Sequence, residues 1–343
     1  MSSQARLEEL KRDLAVLRGR TGARIIDGHD NRGREAAHPA EIPPRGWKDV
    51  LWRVLGEVSD TNLFLVAGGV TYAILLALFP GLAALISIYG LVFDASQVEK
   101  QIEVLAGVLP AETLQLLSEE VHTLVEASQG ALGFSAVVGL LIALWTASRG
   151  MSGLITALDI AYEEHERRGF LKFNLIALLL TVGLLLGGLV VIALVAVLPA
   201  ALQFLAVGAT AKWLGLVVQW PLLIVVVMLG LAVLYRYAPD RDEPQWRWVS
   251  PGAIVATLLW VVASIGFTLY VANFNSYNKT YGSLGGLIIL LTWLYISSLV
   301  VLLGAVINAQ SERQTCKDST KGLPRPMGQR GARAADTLGE NKV

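Results

Sequence analysis

The sequence predicts an all-α membrane protein, a polytopic helical bundle of six transmembrane helices with both termini in the cytoplasm. The first observation is that the apolar residues, 54% of the 343, collect into six long runs free of charge. The second is that Lys and Arg are concentrated in alternate segments between those runs. The single cysteine, Cys316, argues against a disulfide framework or a cysteine metal cluster.

The basic residues also predict the orientation. If the segments are numbered inside and outside in turn, starting inside, 25 of the 28 Lys and Arg residues lie inside. The outside segments hold only Lys100, Lys212 and Lys279. Because short segments rich in Lys and Arg stay on the cytoplasmic side during insertion, we expect cytoplasmic termini.

Residues 1–60 are predicted to form a cytoplasmic region before the first span. Residues 29–46 are rich in Gly, Pro and Arg, which is typical of a disordered linker. Residues 47–55 alternate apolar and polar groups at helical spacing, with Trp47 and Trp52. This pattern predicts an amphipathic helix at the membrane interface.

The six spans make up a membrane domain over residues 61–309. The first run, 63–93, would be about 46 Å long as one helix, whereas the hydrocarbon core is about 30 Å thick. We therefore expect a break at Pro80. The acidic segment 94–130 predicts two amphipathic helices outside the membrane. The other spans are predicted at 131–148, 173–198, 213–235, 249–274 and 284–308.

Two further cytoplasmic segments are predicted. Residues 149–162 have the pattern of an amphipathic helix that follows the second span and ends in a charged cluster. Residues 310–343 are basic and polar without an apolar period, so the tail is expected to be disordered.

A series of small motifs over about residues 60–310 resembles a known family by order and spacing. The motifs are Tyr72-Ala73 with Pro80, Trp145-x-x-Ser148-x-Gly150, Leu158-x-x-x-Tyr162, Tyr237-x-Pro239, Pro251-Gly252, Trp260, Phe267-x-x-Tyr270, Tyr281-Gly282, Trp293-x-Tyr295 and Gly304-Ala305. Together they resemble the YihY/BrkB family of bacterial inner-membrane proteins. The resemblance implies six membrane helices and a bacterial inner membrane. That family has carried the label "ribonuclease BN", is described as a virulence or serum-resistance factor, and is suspected of transport.

The ribonuclease label meets a chemical objection in this chain. Metal-dependent hydrolysis needs three or more converging ligands, and the four histidines, His29, His38, His122 and His165, are scattered. We expect no catalytic residue, metal or cofactor. Nor do we expect a nucleic-acid partner, because topology and anionic headgroups explain the basic residues.

Polar residues in or beside the spans are the remaining candidates. Arg149, Asp159 and Arg236 are expected near the inner face, where Arg149 and Asp159 pair with one another or with Arg236 and Asp240 in a gate. The alternative is interfacial anchoring by snorkelling. Span hydroxyls either bond their own helix or jointly line a polar cavity. The candidate cavity or gate residues are Tyr72, Pro80, Trp145, Ser148, Arg149, Asp159, Arg236, Tyr270, Asn273, Tyr281 and Tyr295.

The first functional hypothesis is a transporter or permease for an amphiphilic or lipid-like substrate. The second is a scaffold that recruits envelope proteins, and the least favoured is a ribonuclease. The expected partners are the lipid bilayer, anionic phospholipids and an envelope protein. Glycine pairs such as Gly187-Gly188 permit close helix packing and hence homo-oligomers.

Overall fold

The structure, a computed structural model, describes residues 32–90, 134–198, 209–272 and 283–342. Six long helices within these ranges are long and apolar enough to cross a membrane, and no strand forms there. This confirms the predicted all-α bundle with six spans. The segment 94–130, with its predicted amphipathic helices, lies outside the described residues. The helices are α1 (Pro44–Asp60), α2 (Leu63–Gly90), α3 (Phe134–Ala161), α4 (Phe170–Ile192), α5 (Ala209–Tyr237), α6 (Trp246–Ala272), α7 (Ser283–Glu312) and the short α8 (Arg333–Asp336).

Helix α2 differs from the broken helix expected from its length and its proline. It runs without interruption from Leu63 to Gly90 and passes through Pro80. A membrane helix tolerates an internal proline where neighbouring helices and side chains compensate for the lost hydrogen bond. Helix α3 packs along this part of α2, with Ala147 beside Gly81. The long apolar run is therefore accommodated as one continuous helix.

Helix α3 also differs from expectation, since a span ending at Ser148 and a separate cytoplasmic helix were predicted. The structure instead has one helix, Phe134–Ala161. Its second half packs on α2 through glycine: a Cβ added to Gly150 would lie 2.5 Å from the Cβ of Ala77. Such close packing stabilises residues 149–161 as part of the bundle.

The six long helices pack in chain order, each on the next, and α7 closes the bundle against α2. We call the line of contact between two adjacent helices a seam. The α6/α7 seam is close, because a Cβ on Gly252 would lie 2.0 Å from the carbonyl oxygen of Gly304. The α4/α5 seam is the least extensive of the seams between neighbouring long helices within the described ranges.

Both described termini lie at one end of the bundle, where α2, α4 and α6 begin and α3, α5 and α7 end. We call this the charged end. Arg34, near the first described residue, donates a hydrogen bond of 2.7 Å to the carbonyl oxygen of Gly339, near the last. The structure thus places both described termini on one side of the bundle.

Helix α1 confirms the amphipathic helix predicted at residues 47–55. Val50 is fully buried, whereas Lys48 and Trp52 on the opposite face are exposed, Trp52 by 59%. The residues just before α1, expected to belong to a disordered linker, are also packed, with Ile42 against Trp248. This apolar contact holds the chain in place over 36–42.

The segment 313–342 was expected to be disordered, but it packs on the charged end. Arg53 of α1 donates to the carbonyl oxygens of Gln310 and Glu340, both at 2.9 Å. Buried Arg330 donates to the carbonyl oxygen of Cys316 at 2.7 Å. Because arginine side chains satisfy backbone carbonyls here, the segment is ordered without an apolar period that sequence patterns would reveal.

Candidate functional site

Two short loops meet at the charged end: residues 162–169 join α3 to α4, and residues 238–245 join α5 to α6. Asp159, in the last turn of α3, is buried and accepts a 2.8 Å hydrogen bond from the backbone N–H of Asp240. The guanidinium of Arg168 lies 4.0 Å from the other oxygen of Asp159. Asp159 therefore ties the two loops together.

Arg168 is the cation at the centre of this contact. Its Nε donates to Glu166 at 2.8 Å and lies 3.6 Å from Asp240, and its Nη2 donates to the carbonyl oxygen of Ala238 at 2.9 Å. Burial opposes its charge, but the neighbouring carboxylates of Glu166, Asp159 and Asp240 prevail and raise the pKa of Arg168. The guanidinium is thus fixed and fully charged.

Arg236, in the last turn of α5, has an incomplete set of partners. It donates to the carbonyl oxygen of Pro244 at 2.5 Å and to Glu243 at 2.9 Å, and it stacks 4.6 Å from the ring centre of Trp246. Its Nε–H is buried and has no acceptor within the described residues. A buried donor without a partner costs about 1–3 kcal/mol. Arg236 therefore has a free hydrogen-bond donor.

A fully buried ion pair anchors the second loop. Arg241 donates to both carboxylate oxygens of Glu312, at 3.1 and 2.6 Å, and neither side chain is exposed. Ser319 donates to the same carboxylate at 2.7 Å. The pair joins the α5–α6 loop to the end of α7, and so fixes one side of the α4/α5 seam.

A groove with a volume of about 370 Å³ opens between α4 and α5 at the charged end. We call it the α4/α5 groove. Its mouth is lined by Arg168, Lys172, Arg236, Asp240, Arg241 and Glu243. Below the mouth, α4 contributes an apolar wall of Ile176, Leu179 and Leu180. A cavity of this size, apolar with a few convergent polar groups, is typical of small-molecule sites.

A second, larger cavity of about 710 Å³ lies between α1, the end of α7 and the segment 338–342. Glu57 and Glu163 line it, together with Arg313. Arg313 forms an ion pair with Glu163 and lies 3.9 Å from Glu57. Burial and the nearby charge of Glu163 raise the pKa of Glu57 despite Arg313.

Of the predicted site residues, Asp159 and Arg236 come together at the charged end. Arg236 lines the groove. Asp159 does not line it, but contacts two residues that do, Asp240 and Arg168. Tyr72 and Tyr270 instead point outward, 62% and 53% exposed.

The remaining predicted residues that the structure describes do not meet in a shared site. Pro80 lies within α2, and buried Ser148 donates to the carbonyl oxygen of Trp145 on its own helix. Tyr295 donates to the carbonyl oxygen of Phe64 at 3.3 Å and so joins α7 to α2. Asn273 and Tyr281 lie outside the described residues.

Arg149 was expected near the inner face, but it does not lie near the charged end, because α3 continues to Ala161. It is the middle residue of the candidate span Val137–Ala161 and lies about 15 Å along the helix from Asp159. The two residues therefore do not pair. Arg149 is exposed, and its guanidinium stacks 4.4 Å from the ring centre of Trp145. Arg149 thus lies in the middle of the candidate span, whereas the sequence had predicted it near the inner face.

Hydroxyl groups in the spans mostly bond to their own helices. Thr71, Thr181 and Thr257 each donate 2.7 Å hydrogen bonds to the carbonyl four residues earlier. Local bonding of this kind is common for threonine in membrane helices. For these residues it favours the alternative in which hydroxyls bond their own helix over the one in which they jointly line a polar cavity.

Comparison with known proteins gives the chain a family. The model of the family described as "Virulence factor BrkB" matches residues 54–327. The chain belongs to the BrkB family. The ribonuclease-like protein YfkH of Bacillus subtilis is 33% identical over 69% of this chain and 86% of its own length. UPF0761 membrane protein IL2447 of Idiomarina loihiensis is 27% identical over 78% and 94% respectively. No solved structure matches.

The names of these two BrkB relatives suggest different functions: one is named ribonuclease-like, and the other is named only as a membrane protein. The ligand chemistry in this chain gives the first name no support. Within the described residues, no group of three or more His, Cys, Asp or Glu side chains is arranged to hold a metal ion. What the family and structure establish is an integral membrane protein.

Sequence inspection of this BrkB-family chain missed Lys172 and Glu243, which line opposite walls of the groove. One signal was available: both loops on the same side of the membrane are short and dense in charge of both signs. Their meeting depends on α4 and α5 being neighbours, which local patterns do not show.

Proposed function

We propose that this protein is a transporter or permease that moves an amphiphilic or lipid-like molecule in the bacterial cell envelope. One observation carries the proposal: the α4/α5 groove has a charged mouth above an apolar wall. An amphiphile has the same two-part chemistry, with a polar head and apolar chains. A small inorganic ion would have no use for the apolar wall.

The position of the groove fits a substrate that enters sideways from the membrane. Leu179 on its wall is 61% exposed, so the groove is continuous with the outer surface of the bundle. Exposed Arg149 on α3 supports the same function, because a charged group at mid-span is costly and tends to mark a substrate path. A polar headgroup in transit would find a cation at this depth.

The proposal includes a location. The sequence places 25 of 28 Lys and Arg residues on one side, and the structure gathers the described ones of these, apart from Arg149, at or near the charged end. We therefore propose a bacterial inner-membrane protein whose charged end lies in the cytoplasm, against anionic phospholipids.

Reconstitution into liposomes tests this function. A fluorescent lipid in the inner leaflet becomes accessible to a membrane-impermeant quencher only if the protein moves it. We expect movement several times faster than in protein-free vesicles, and a marked loss in Ile176→Trp, which fills the groove. Leu184→Trp, on an outward position of the same helix, is the matched control and should behave as wild type. Absence of movement for a panel of lipids and solutes, with specific capture of an envelope protein, would favour the scaffold alternative instead.

Substitution of Arg149 provides a second test, in which thermal stability should rise while the rate of lipid movement falls. Arg149→Leu removes a charge that costs about 2.5–3.5 kcal/mol at the centre of a membrane helix. We expect higher thermal stability together with slower lipid movement, as for a residue retained for function. If stability rises and movement is unchanged, Arg149 has no role in transport.

A further inference from the structure

Some of the charged side chains that line the α4/α5 groove are buried, so a ligand would meet only the exposed ones. The side chains of Arg168 and Arg236 are only 4% exposed, and that of Arg241 is not exposed. Lys172, on the α4 side, is exposed. On the opposite side, Glu243 is 40% and Asp240 is 20% exposed. Lys321 is 69% exposed and lies 3.6 Å from the same Glu243 oxygen that pairs with Arg236, and Asp240 lies 3.6 Å from Arg168. The accessible groups are thus Lys172 on one wall and, on the other, two carboxylates that each have a basic partner.

The helix ends add to this polarity. Helix α4 begins at Phe170, and its N-cap, Gly169, has no side chain to bond the first free backbone N–H groups. Helix α5 ends at Tyr237, on the other side of the groove. A helix N-terminus favours negative charge and a C-terminus favours positive charge. The α4 wall is therefore suited to an anion and the α5 wall to a cation.

A simple anion site does not fit the groove. Each of its buried arginines already has a carboxylate partner: Arg168 has Glu166, Arg236 has Glu243, and Arg241 has Glu312. What remains for an anion is Lys172 and the free amides of α4, since the unpartnered Nε–H of Arg236 is buried. The partly exposed carboxylates of Glu243 and Asp240 add repulsion against a purely anionic headgroup, although each has a basic partner.

We infer that the α4/α5 groove binds a phospholipid whose headgroup carries both a phosphate and a primary ammonium, as in phosphoethanolamine lipids. The phosphate lies by Lys172 and the first amides of α4, and the ammonium donates hydrogen bonds to Glu243 and Asp240. The acyl chains follow Ile176, Leu179 and Leu180. This inference rests on the proposed function and names its substrate class. A quaternary ammonium has no N–H to donate, so a choline headgroup fits less well.

Native mass spectrometry of the purified full chain tests the inference. The protein is equilibrated in mixed micelles with equal amounts of phosphatidylethanolamine, phosphatidylglycerol and phosphatidylcholine. We expect about tenfold preferential retention of phosphatidylethanolamine, the effect of one charge-assisted hydrogen bond more than the competitors make. Equal retention of the three lipids, or preference for phosphatidylglycerol, would overturn the inference.

Two substitutions assign the two ends of the headgroup. Lys172→Gln, at an exposed position that should not disturb folding, should lower retention of all three phosphate-bearing lipids. Glu243→Gln should abolish the preference for phosphatidylethanolamine and raise retention of phosphatidylglycerol. Lys48→Gln on α1 and Glu340→Gln, both exposed and away from the groove, are the matched controls. Wild-type selectivity in Glu243→Gln would contradict the assignment.

Liposomes of the same three lipids separate this inference from the proposed function. Lipid movement that is equally fast for all three headgroups and unchanged in Glu243→Gln would retain the transporter and overturn the headgroup assignment. Selective binding without any movement would retain the binding site and overturn transport.

Discussion

The α6/α7 and α4/α5 seams join similar apolar helices, yet one is closed and the other holds a groove. At the α6/α7 seam, Gly252 and Gly304 bring two backbones together, and Gly252 also donates a 2.7 Å hydrogen bond to the side chain of Asn308. At the α4/α5 seam, Ile176 and Leu180 face the opening instead. Burial in lipid does not by itself draw apolar helices together, so small residues decide where they close.

The charged end shows why the open seam keeps its shape. Arg241 and Glu312 hold the α5–α6 loop to α7, while Asp159 holds it to the end of α3 and Arg168 holds it to the loop just before α4. The groove is therefore framed by ion pairs and hydrogen bonds at its mouth, not by packing along its length. Closed and open seams depend on different interactions, and substitutions can test each one.

The largest expected effect is loss of the buried ion pair. Glu312→Ala leaves the fully buried guanidinium of Arg241 without its carboxylate, which costs about 3–5 kcal/mol. Chemical unfolding in detergent, followed by circular dichroism, measures the free energy of unfolding. Glu340→Ala removes an exposed pairing with Lys342 and should cost less than about 1 kcal/mol. Equal effects in the two variants would show that the buried pair does not anchor the loop.

The second-largest effect is expected from disrupting the close glycine contacts at the α6/α7 seam. Gly252→Ala places a methyl group 2.0 Å from a backbone oxygen that cannot rotate away, so the helices must separate. We expect a loss of about 1–3 kcal/mol in the free energy of unfolding. On the same helix, Gly266→Ala meets nothing within 4 Å and should be neutral or slightly stabilising. Destabilisation by both variants would point to the helix backbone and not to the seam.

A pair of leucine truncations compares the two kinds of seam directly. Leu302→Ala on α7 removes a fully buried side chain and should cost about 2–5 kcal/mol. Leu180→Ala removes a side chain that borders an existing opening, so we expect less than about 1 kcal/mol. Thermal unfolding of the purified variants measures both. Similar losses would mean that the α4/α5 seam is as closely packed as the others.

The smallest expected effect concerns the cavity beside α1. The pKa of Glu57 is raised by burial and by Glu163, so ionisation of Glu57 destabilises the folded protein. Its favourable contribution is complete below the unfolded pKa and is lost as the pH rises through the folded value. Glu57→Gln should therefore raise the melting temperature at pH 7 by about 2 °C. The gain should vanish at a pH below the unfolded pKa of glutamate, and a gain that persists there would have another cause.

Part of the candidate site could be predicted from the sequence. Asp159 and Arg236 were selected because ionisable groups beside a span are costly and tend to have a role. Lys172 and Glu243 were not, because each looks like an ordinary interfacial charge until the neighbouring helix is known. Arg149 was expected near the inner face because the second span was predicted to end at Ser148, whereas that span and the helix predicted to follow it form the single helix α3, which ends at Ala161.

The sequence by itself determined the fold class and the number of spans, because hydrocarbon excludes charge and requires each span to satisfy its own backbone. Those requirements act within one segment and so appear in local patterns. Only the tertiary structure decided which seams close, where Arg149 lies and that the tail is ordered. These depend on contacts between residues far apart in the sequence, such as Gly252 with Gly304 and Arg53 with Gln310. A local sequence pattern does not reveal such contacts.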